Sequence, residues 1–442
     1  MSNKDRRILT LVPASATVIG SMIGTGVFTT TGLMVGMGSA GGDIVLAWLL
    51  GGIVALCGAL CYGEVGANLP ESGGEYYYLS RLLHPALGFM SGCISLVVGF
   101  AAPIAAAAMA MNLYLARVVS GWPVPITAAA TILLLALLHA YDLRIGSKFQ
   151  TAITVLKVVL ILAFIFGVLL GTRNTAGSSF VFNSDFLTSS SFAVVLVFVS
   201  FAYSGWNAAA YIGTELRQPE RTLPVSLLLG TGIVTALYVL LNLSYLISAP
   251  LSDLSGVEEV GHVVGTRLWG ATGGNIVALL IALTLVCPIS AMLMIGPRVA
   301  EAMAKDGFLP RSFAQLNTRN VPALAVALQT LLAILIAVTS SFGTLLIYIG
   351  FTLNIFAALT VVSLFRLRRS GRSKHKICVG YPFTPLVFLG FAVWMTVWSI
   401  QSQPMATLAG LGTLLLAFLA YVLRSRKIET GDERLSRKAQ LK

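Results

Sequence analysis

Long apolar stretches dominate this chain, and short polar segments separate them. A run of about 20 apolar residues is long enough to cross a lipid bilayer as an α-helix. The pattern therefore predicts an all-α polytopic membrane protein with twelve spans. The predicted spans cover residues 11–36, 43–67, 86–119, 123–140, 146–171, 190–215, 224–249, 274–303, 322–341, 344–367, 382–402 and 405–424.

The first predicted span contains a glycine-rich interruption at residues 20–26, GSMIGTG. Glycine weakens an α-helix and lets the backbone leave helical geometry. Inside a membrane such backbone must be buried in protein or line a cavity, because lipid cannot hydrogen-bond its N–H and C=O groups. We therefore predict two half-helix ends, one whose N–H groups suit a carboxylate and one whose carbonyls suit an ammonium. Together these ends would hold the carboxylate and amine of an amino acid.

The same glycines have a second interpretation. Gly20 and Gly24 are one helical turn apart, which is the spacing of small residues that let two membrane helices pack closely. A helix break and a close helix contact both stay open at this point.

A second weak point lies in the sixth predicted span, where Ser204-Gly205 precedes Trp206-Asn207. Interrupted segments at corresponding places in two halves of a chain are typical of transporter sites. We therefore predict breaks at about Ile23–Gly26 and Ser204–Trp206. The prediction includes one transmembrane domain over residues 1–442, with repeats at about 11–171 and 190–367 and added helices at 382–424.

The basic residues are distributed unevenly between the loops. If the N-terminus is cytoplasmic, only Arg117, Arg173 and Arg267 fall on the opposite side, and Lys157 lies inside a span. This asymmetry predicts a multi-pass protein of the cell membrane with both termini in the cytoplasm. It also explains the net charge of +12 as a cytoplasmic surface property, so we expect no nucleic-acid partner.

Composition narrows the function classes further. The chain is 57% hydrophobic and 10% charged, which is outside the range of soluble domains. Its five cysteines have no zinc or disulfide spacing, and its four histidines are scattered over loops and helix ends. We therefore expect no metal, no cofactor and no enzymatic activity.

Two loops are predicted to form helices outside the spans. The segment 68–85 holds PESGGEYYY and is typical of a short interfacial helix under the bundle. The segment 298–316 mixes charged and small residues, which indicates that span 8 continues into a cytoplasmic helix. Both segments are also compatible with plain solvated connections.

These motifs resemble those of the amino acid–polyamine–organocation superfamily. Residues 24–28, GTGVF, are similar to its first-span pattern. The resemblance to its L-type amino acid transporter branch rests on FAYSGWN at 201–207, Glu215, PERTLP at 219–224, and the loops at 70–78 and 304–310. The resemblance covers about residues 8–370. It implies the LeuT-type fold of inverted five-helix repeats and alternating access by rocking of one bundle against the rest.

The resemblance also implies a substrate site at the two breaks. Thr25 and Gly26 would bind the carboxylate, Met22 would offer its carbonyl to the amine, and Phe201 would act as an aromatic gate. For Phe201 and Met292, ordinary helix packing is the alternative. The full set of predicted substrate-binding residues is Met22, Ile23, Gly24, Thr25, Gly26, Val98, Gly99, Ala102, Phe201, Ala202, Ser204, Asn207 and Met292.

Lys157 is the one charge well inside a predicted span, about 16 Å beyond Gly146 along a helix. That depth is too great for easy snorkelling, so we expect an interior partner. The resemblance places Lys157 where sodium-coupled relatives bind a cation, near the carbonyls of Gly20 and Ser21 and near Ser290. Lys157 is the predicted coupling residue, as a fixed clamp between spans 1 and 5 or as a proton carrier.

The substrate class follows from the position of the acidic residues. Glu64, Glu215 and Asp43 lie toward the ends of spans, and none is clearly at mid-depth. We therefore predict a sodium-independent permease for neutral L-amino acids that works by proton symport or exchange. A cationic amino acid or amine permease is the alternative, and an ion channel is more remote because few intramembrane groups could line a pore. The expected partners are the substrate and membrane lipid, and a homodimer is compatible with the sequence.

Overall fold

The structure is a computed structural model that describes residues 7–171, 180–339, 342–402, 408 and 410–424. The predicted features that involve Arg173 and most of the two terminal tails lie outside these residues. The described part is almost entirely helical, and its only strand-like pairings are two isolated bridges. These bridges join Leu9 to Leu216 and Ser72 to Ile212.

Seven helical segments of the described chain are long and apolar enough to cross a membrane. They are Leu11–Gly36, Gly41–Asn68, Pro85–Val118, Val124–Tyr141, Leu143–Gly171, Pro219–Ser248 and Val260–Lys305. Further apolar helices form at Ser190–Tyr203, Ala323–Thr339, Phe383–Ser402 and Gly410–Arg424. The chain is therefore a helical polytopic membrane protein, as predicted.

We number the main helices in chain order. They are α1 (Leu11–Met22), α2 (Gly26–Gly36), α3 (Gly41–Asn68), α4 (Glu75–Leu82), α5 (Pro85–Ile94), α6 (Ala102–Val118), α7 (Val124–Tyr141), α8 (Leu143–Gly171), α9 (Ser190–Tyr203), α10 (Pro219–Ser248), α11 (Val260–Ile295), α12 (Pro297–Lys305), α13 (Ala323–Thr339), α14 (Phe342–Arg369), α15 (Phe383–Ser402) and α16 (Gly410–Arg424). A π-helix, Ser95–Ala101, joins α5 to α6.

The centre of the molecule is formed by helices that share small residues at their contacts. α10 packs along α3 and α1, and α11 packs along α6 and α8. Gly52 lets α3 approach α10 closely, because a Cβ at this position would lie 2.3 Å from Thr235 Cγ2. Association through small residues is typical of membrane helices, since apolar burial alone drives little packing in lipid.

The outer helices present apolar side chains away from the protein. On α7 and α8, Leu134, Leu137 and Phe166 are each more than 60% exposed. Large aliphatic and aromatic side chains exposed along whole helices would aggregate in water, so this surface fits contact with lipid.

The two helices that were predicted between spans are present as α4 and α12. Two predicted spans differ in the structure. Span 6 was expected as 190–215, but its helix ends at Tyr203, and two short 3₁₀ turns, Ala208–Tyr211 and Gly213–Glu215, follow. Span 8 was expected to begin at residue 274, and the structure adds a further helical segment before it, which begins at Val260 and is separated from the span at Gly270 by a non-helical φ of 72°.

Candidate functional site

The first span is broken where the glycines predict it. α1 ends at Met22 and α2 begins at Gly26. Between them the N–H of Gly24 donates to the carbonyl of Met22 at 2.8 Å, so the backbone makes a tight turn. The first N–H groups of a helix have no intrahelical partner, and its N-terminus carries a positive partial charge. The predicted interruption at Ile23–Gly26 is confirmed, because no helix spans the residues between Met22 and Gly26.

The sixth span is broken in the same way. α9 ends at Tyr203, Ser204 has an extended ψ of 148°, and Gly205 has a φ of 95°. A side chain at Gly205 would be strained at this φ, and its Cβ would lie 2.9 Å from the carbonyl carbon of Ser21. The predicted interruption at Ser204–Trp206 is confirmed, and the two breaks lie in direct contact.

A tyrosine that the sequence analysis missed joins the two breaks. Tyr238 of α10 is buried, and its hydroxyl reaches the carbonyls of Met22 at 2.7 Å and Ala202 at 2.9 Å. A hydroxyl has one proton, so the two carbonyls share it. The available signal was a tyrosine inside an otherwise apolar span, because a buried phenol needs a hydrogen-bond partner.

Lys157 connects α8 to the first break. Its side chain is 1% exposed, and its ammonium donates to the carbonyl of Ile23. The contact was expected nearer Gly20 and Ser21, whereas the structure places it at Ile23, the first residue after α1. The expected contact with Ser290 is replaced, because the Ser290 hydroxyl lies 2.8 Å from His139 Nε2.

The two interpretations of the first glycines apply to different residues. A Cβ on Gly20 would lie 2.2 Å from Gln150 Nε2 and 3.0 Å from Thr154 Oγ1, so Gly20 is a close helix contact. A Cβ on Gly24 would meet only the carbonyl oxygen of Met22, at 3.9 Å. Gly24 therefore faces open space at the break.

Two adjoining cavities lie at the breaks. The larger has a volume of about 110 Å³, and its lining includes the predicted residues Gly99, Phe201, Ser204, Asn207 and Met292. The smaller has a volume of about 20 Å³, and its lining includes Met22, Gly24, Thr25, Gly26, Phe201, Ala202, Ser204 and Met292. A cavity of this smaller size holds about one water molecule. An amino acid backbone would fit there only if the breaks moved apart.

The π-helix changes which residues of the third span face the larger cavity. Phe100 and Pro103 line it together with Gly99. Val98 and Ala102, which were predicted as pocket walls, instead lie in a separate hydrophobic cluster with Phe356. A π-helical turn contains an extra residue and rotates the following side chains, so they face a different direction from the one that a regular α-helix would give them.

Ile23, another predicted site residue, is fully buried, and its carbonyl accepts a hydrogen bond from Lys157.

A buried carboxyl group also lines the larger cavity. Glu75, the first residue of α4, is 3% exposed. Its Oε1 accepts hydrogen bonds from the Tyr62 hydroxyl at 2.7 Å and from Asn207 Nδ2 at 2.9 Å. Burial raises the pKa of the Glu75 carboxyl to about 7, although these two hydrogen bonds act in the opposite direction. Glu75 is not among the predicted site residues, because its loop was expected to lie under the bundle and away from the site.

The segment that precedes α1 contacts the segment that follows the second break. The N–H of Leu9 donates to the Glu215 carbonyl at 2.9 Å, and the N–H of Arg217 donates to the Leu9 carbonyl at 2.7 Å. Arg298 of α12 forms an ion pair with Glu215 at 2.5 Å, and both side chains are buried. The segment that precedes α1 is therefore joined to the turn that follows the second break, and that turn is joined to α12.

The chain is similar in sequence to proteins that transport amino acids. The family model described as amino acid permease matches residues 9–423. The large neutral amino acids transporter small subunit 2 of Mus musculus is 28% identical over 430 residues, which cover 93% of this chain and 80% of the relative. The b(0,+)-type amino acid transporter 1 of Homo sapiens is 26% identical, with 90% and 83% covered. The serine/threonine exchanger SteT of Bacillus subtilis (strain 168) is 27% identical, with 87% and 89% covered.

Proposed function

Because the chain belongs to the amino acid permease family, we propose that it is a sodium-independent secondary active transporter of neutral L-amino acids. One observation carries the proposal. Two helix breaks touch each other beside two adjoining cavities, and together they present the opposite ends of helices to one small volume. A zwitterion is the ligand that needs both kinds of helix end at once.

The proposed substrate site follows from the chemistry of each break. The start of α2, with Thr25 and Gly26, binds the carboxylate through N–H groups and the Thr25 hydroxyl. The carbonyls of Met22 and Ala202 accept from the substrate amine, in exchange for part of their bond to Tyr238. The substrate side chain points into the larger cavity, where Phe201 and Met292 form apolar walls.

The proposal includes the membrane architecture. Helices are present at all twelve predicted positions of the described chain, and breaks occur in the first and sixth. This agreement supports twelve spans, which we propose form one domain with inverted repeats at about 11–171 and 190–367 and added helices at 382–424. The cytoplasmic position of both termini is proposed from the uneven distribution of basic residues between the loops. Association as a homodimer stays a prediction.

The mode of transport and the substrate are proposed from the family and the cavity. The names of the relatives point to large neutral amino acids in one and to serine/threonine exchange in another. The larger cavity has mostly apolar and small lining residues, which fits neutral side chains. Glu75 is the one observation that favours a second candidate, a cationic substrate, because it places a carboxyl group in this lining.

Counterflow into liposomes tests the proposed function. Purified protein is reconstituted in liposomes loaded with unlabelled leucine, serine or lysine, and uptake of the labelled amino acid is followed with sodium replaced by choline. We expect uptake of leucine or serine above protein-free liposomes, with no change when sodium is added. Uptake of lysine alone would favour the cationic candidate, and uptake that requires sodium would overturn the proposal.

A further inference from the structure

We propose that the Glu75 carboxyl takes up a proton when a neutral amino acid occupies the larger cavity, so that substrate binding and proton binding strengthen each other. The inference rests on the proposed function and adds a protonation site to it. The proposed protonation site, Glu75, lies on α4. It is distinct from Lys157 on α8, which is the coupling residue predicted from the sequence.

The geometry isolates one oxygen of this carboxyl group. Both hydrogen bonds that the described residues make to Glu75 end on Oε1, one from Tyr62 on α3 and one from Asn207 beyond the second break. Oε2 is therefore the oxygen left to carry a proton. Glu75 lines the same cavity as Phe201, Ser204 and Met292, so a substrate side chain and this carboxyl share one space.

The groups around Glu75 provide no positive charge. The ionisable groups that act on it are the phenols of Tyr62 on α3 and Tyr211 on the turn Ala208–Tyr211, with Tyr78 on its own helix next to Tyr211. Asn207 is neutral, and within the described chain no lysine or arginine forms an ion pair with Glu75. A buried carboxylate without a cation is costly, and either a proton or a cationic ligand removes that cost.

A neutral substrate favours the proton. When an apolar side chain fills the cavity, it displaces water that would otherwise solvate the carboxylate, and the charged form becomes less favourable. Thermodynamic linkage then requires the reverse effect, so that protonation of Glu75 strengthens binding of the neutral substrate. The carboxyl pKa of about 7 places this exchange in the physiological pH range.

Binding measured against pH tests the inference. The dissociation constants of leucine and serine are measured from one pH unit below to one unit above the Glu75 pKa of about 7. If only the protonated form binds, affinity falls about tenfold over this interval. Glu75→Gln imitates the protonated carboxyl and should bind tightly at every pH. Glu71→Gln, in the same loop but outside the larger cavity, should keep the tenfold fall.

Proton uptake gives a second measurement. Addition of leucine to wild-type protein in weakly buffered solution should raise the pH, and Glu75→Gln should lose this signal. Tyr62→Phe removes a hydrogen bond that favours the carboxylate, so it should move the midpoint of the binding curve to higher pH. This variant keeps the inference testable if Glu75→Gln does not fold.

The results separate the two proposals. Leucine and serine binding that is equally strong at every pH in wild type would overturn the proton site and leave the transporter intact. Lysine binding that strengthens with rising pH and disappears in Glu75→Gln would overturn it in favour of a substrate cation at Glu75. Failure of the wild type to bind any amino acid at any pH would overturn both proposals.

Discussion

At the residue scale, Gly24 and Gly26 differ in what surrounds them. A Cβ on Gly26 would lie 2.6 Å from Ala202 Cβ, whereas a Cβ on Gly24 would meet nothing closer than 3.9 Å. Gly26 therefore holds α2 against α9, and Gly24 leaves space for a ligand. Both roles require the absence of a side chain, for different reasons.

We expect Gly24→Ala to fold normally and to bind every amino acid substrate at least about tenfold more weakly, which is about 1.4 kcal/mol. Its methyl group would occupy the space through which the carboxylate reaches the backbone. Gly26→Val should abolish binding and also lower the melting temperature, because α2 and α9 must separate. Thermal stability and ligand binding measured on both variants check this. Normal binding by Gly24→Ala would place the carboxylate elsewhere.

Met292 provides the contrast to these glycines. It lines both cavities from α11, on the side where the substrate side chain would lie. Met292→Ala should change the ranking of leucine and serine while keeping binding of the amino acid backbone. Equal weakening for both substrates would show that Met292 acts only through helix packing.

The same residues show how far the sequence could predict the site. Glycines and a buried lysine stand out in an apolar chain because they are costly there, so the breaks and Lys157 were found. Glu75 was not, because a carboxyl in a loop is normally solvated and only the folded chain brings it beside Asn207. Tyr238 was not predicted, because a tyrosine in a membrane span often serves only to pack its ring and hydrogen-bond its hydroxyl.

At the element scale, the π-helix Ser95–Ala101 accounts for the difference between the predicted and the observed lining of the third span, where Gly99 lines the larger cavity and Val98 and Ala102 do not. The apolar pattern predicts a helix there correctly. It carries no sign of the extra residue, since the residues 95–101 are almost all apolar and would be equally buried in either register. The position of this helix can therefore be predicted from the sequence, whereas the side chains that it turns toward the cavity can be predicted only in part.

Tyr238 of α10 connects the two breaks through its hydroxyl, so removal of this hydroxyl should affect both of them. Tyr238→Phe leaves the carbonyls of Met22 and Ala202 without this donor. We expect the free energy of unfolding to fall by about 1–3 kcal/mol, with a marked loss of transport.

Tyr203→Phe is the matched control, because the Tyr203 hydroxyl binds the carbonyl of Trp48 at 2.9 Å. It removes one buried hydroxyl group and leaves the hydrogen bonds to the Met22 and Ala202 carbonyls in place. Its stability loss should be similar, and its transport loss smaller. Equal transport in the Tyr238 and Tyr203 variants would contradict a linking role for Tyr238.

At the scale of the whole molecule, the position of Lys157 leads to a prediction about which ion can couple to transport. Its ammonium donates to the Ile23 carbonyl inside the protein, so a sodium ion bound by the carbonyls of this break would lie beside a positive charge. Two unit charges about 4 Å apart repel by about 4 kcal/mol at an effective dielectric constant of about 20. Transport should therefore not depend on sodium.

Lys157→Ala should impair transport, and its pH dependence distinguishes a carrier from a clamp. A proton carrier predicts uptake that rises with an inward proton gradient and loses this response in the variant. A clamp predicts exchange that ignores the gradient. Lys148→Ala, an exposed position on the same helix, should behave as wild type. Full activity of Lys157→Ala in proteoliposomes would exclude both roles.

The contact between the two breaks also affects the rate at which each of them can move. A Cβ at Gly205 would lie 2.9 Å from the Ser21 carbonyl, so the two breaks are in close contact. The Tyr238 hydroxyl is also hydrogen-bonded to one backbone carbonyl at each break. Neither break can therefore rearrange without the other. Their motions should relax as one process, with a single rate on the microsecond-to-millisecond scale that is usual for collective helix motion. Fluorine NMR probes, one on α1 and one on α9, should report the same exchange rate and the same temperature dependence. Two distinct rates would show that carboxylate and amine are released in separate events.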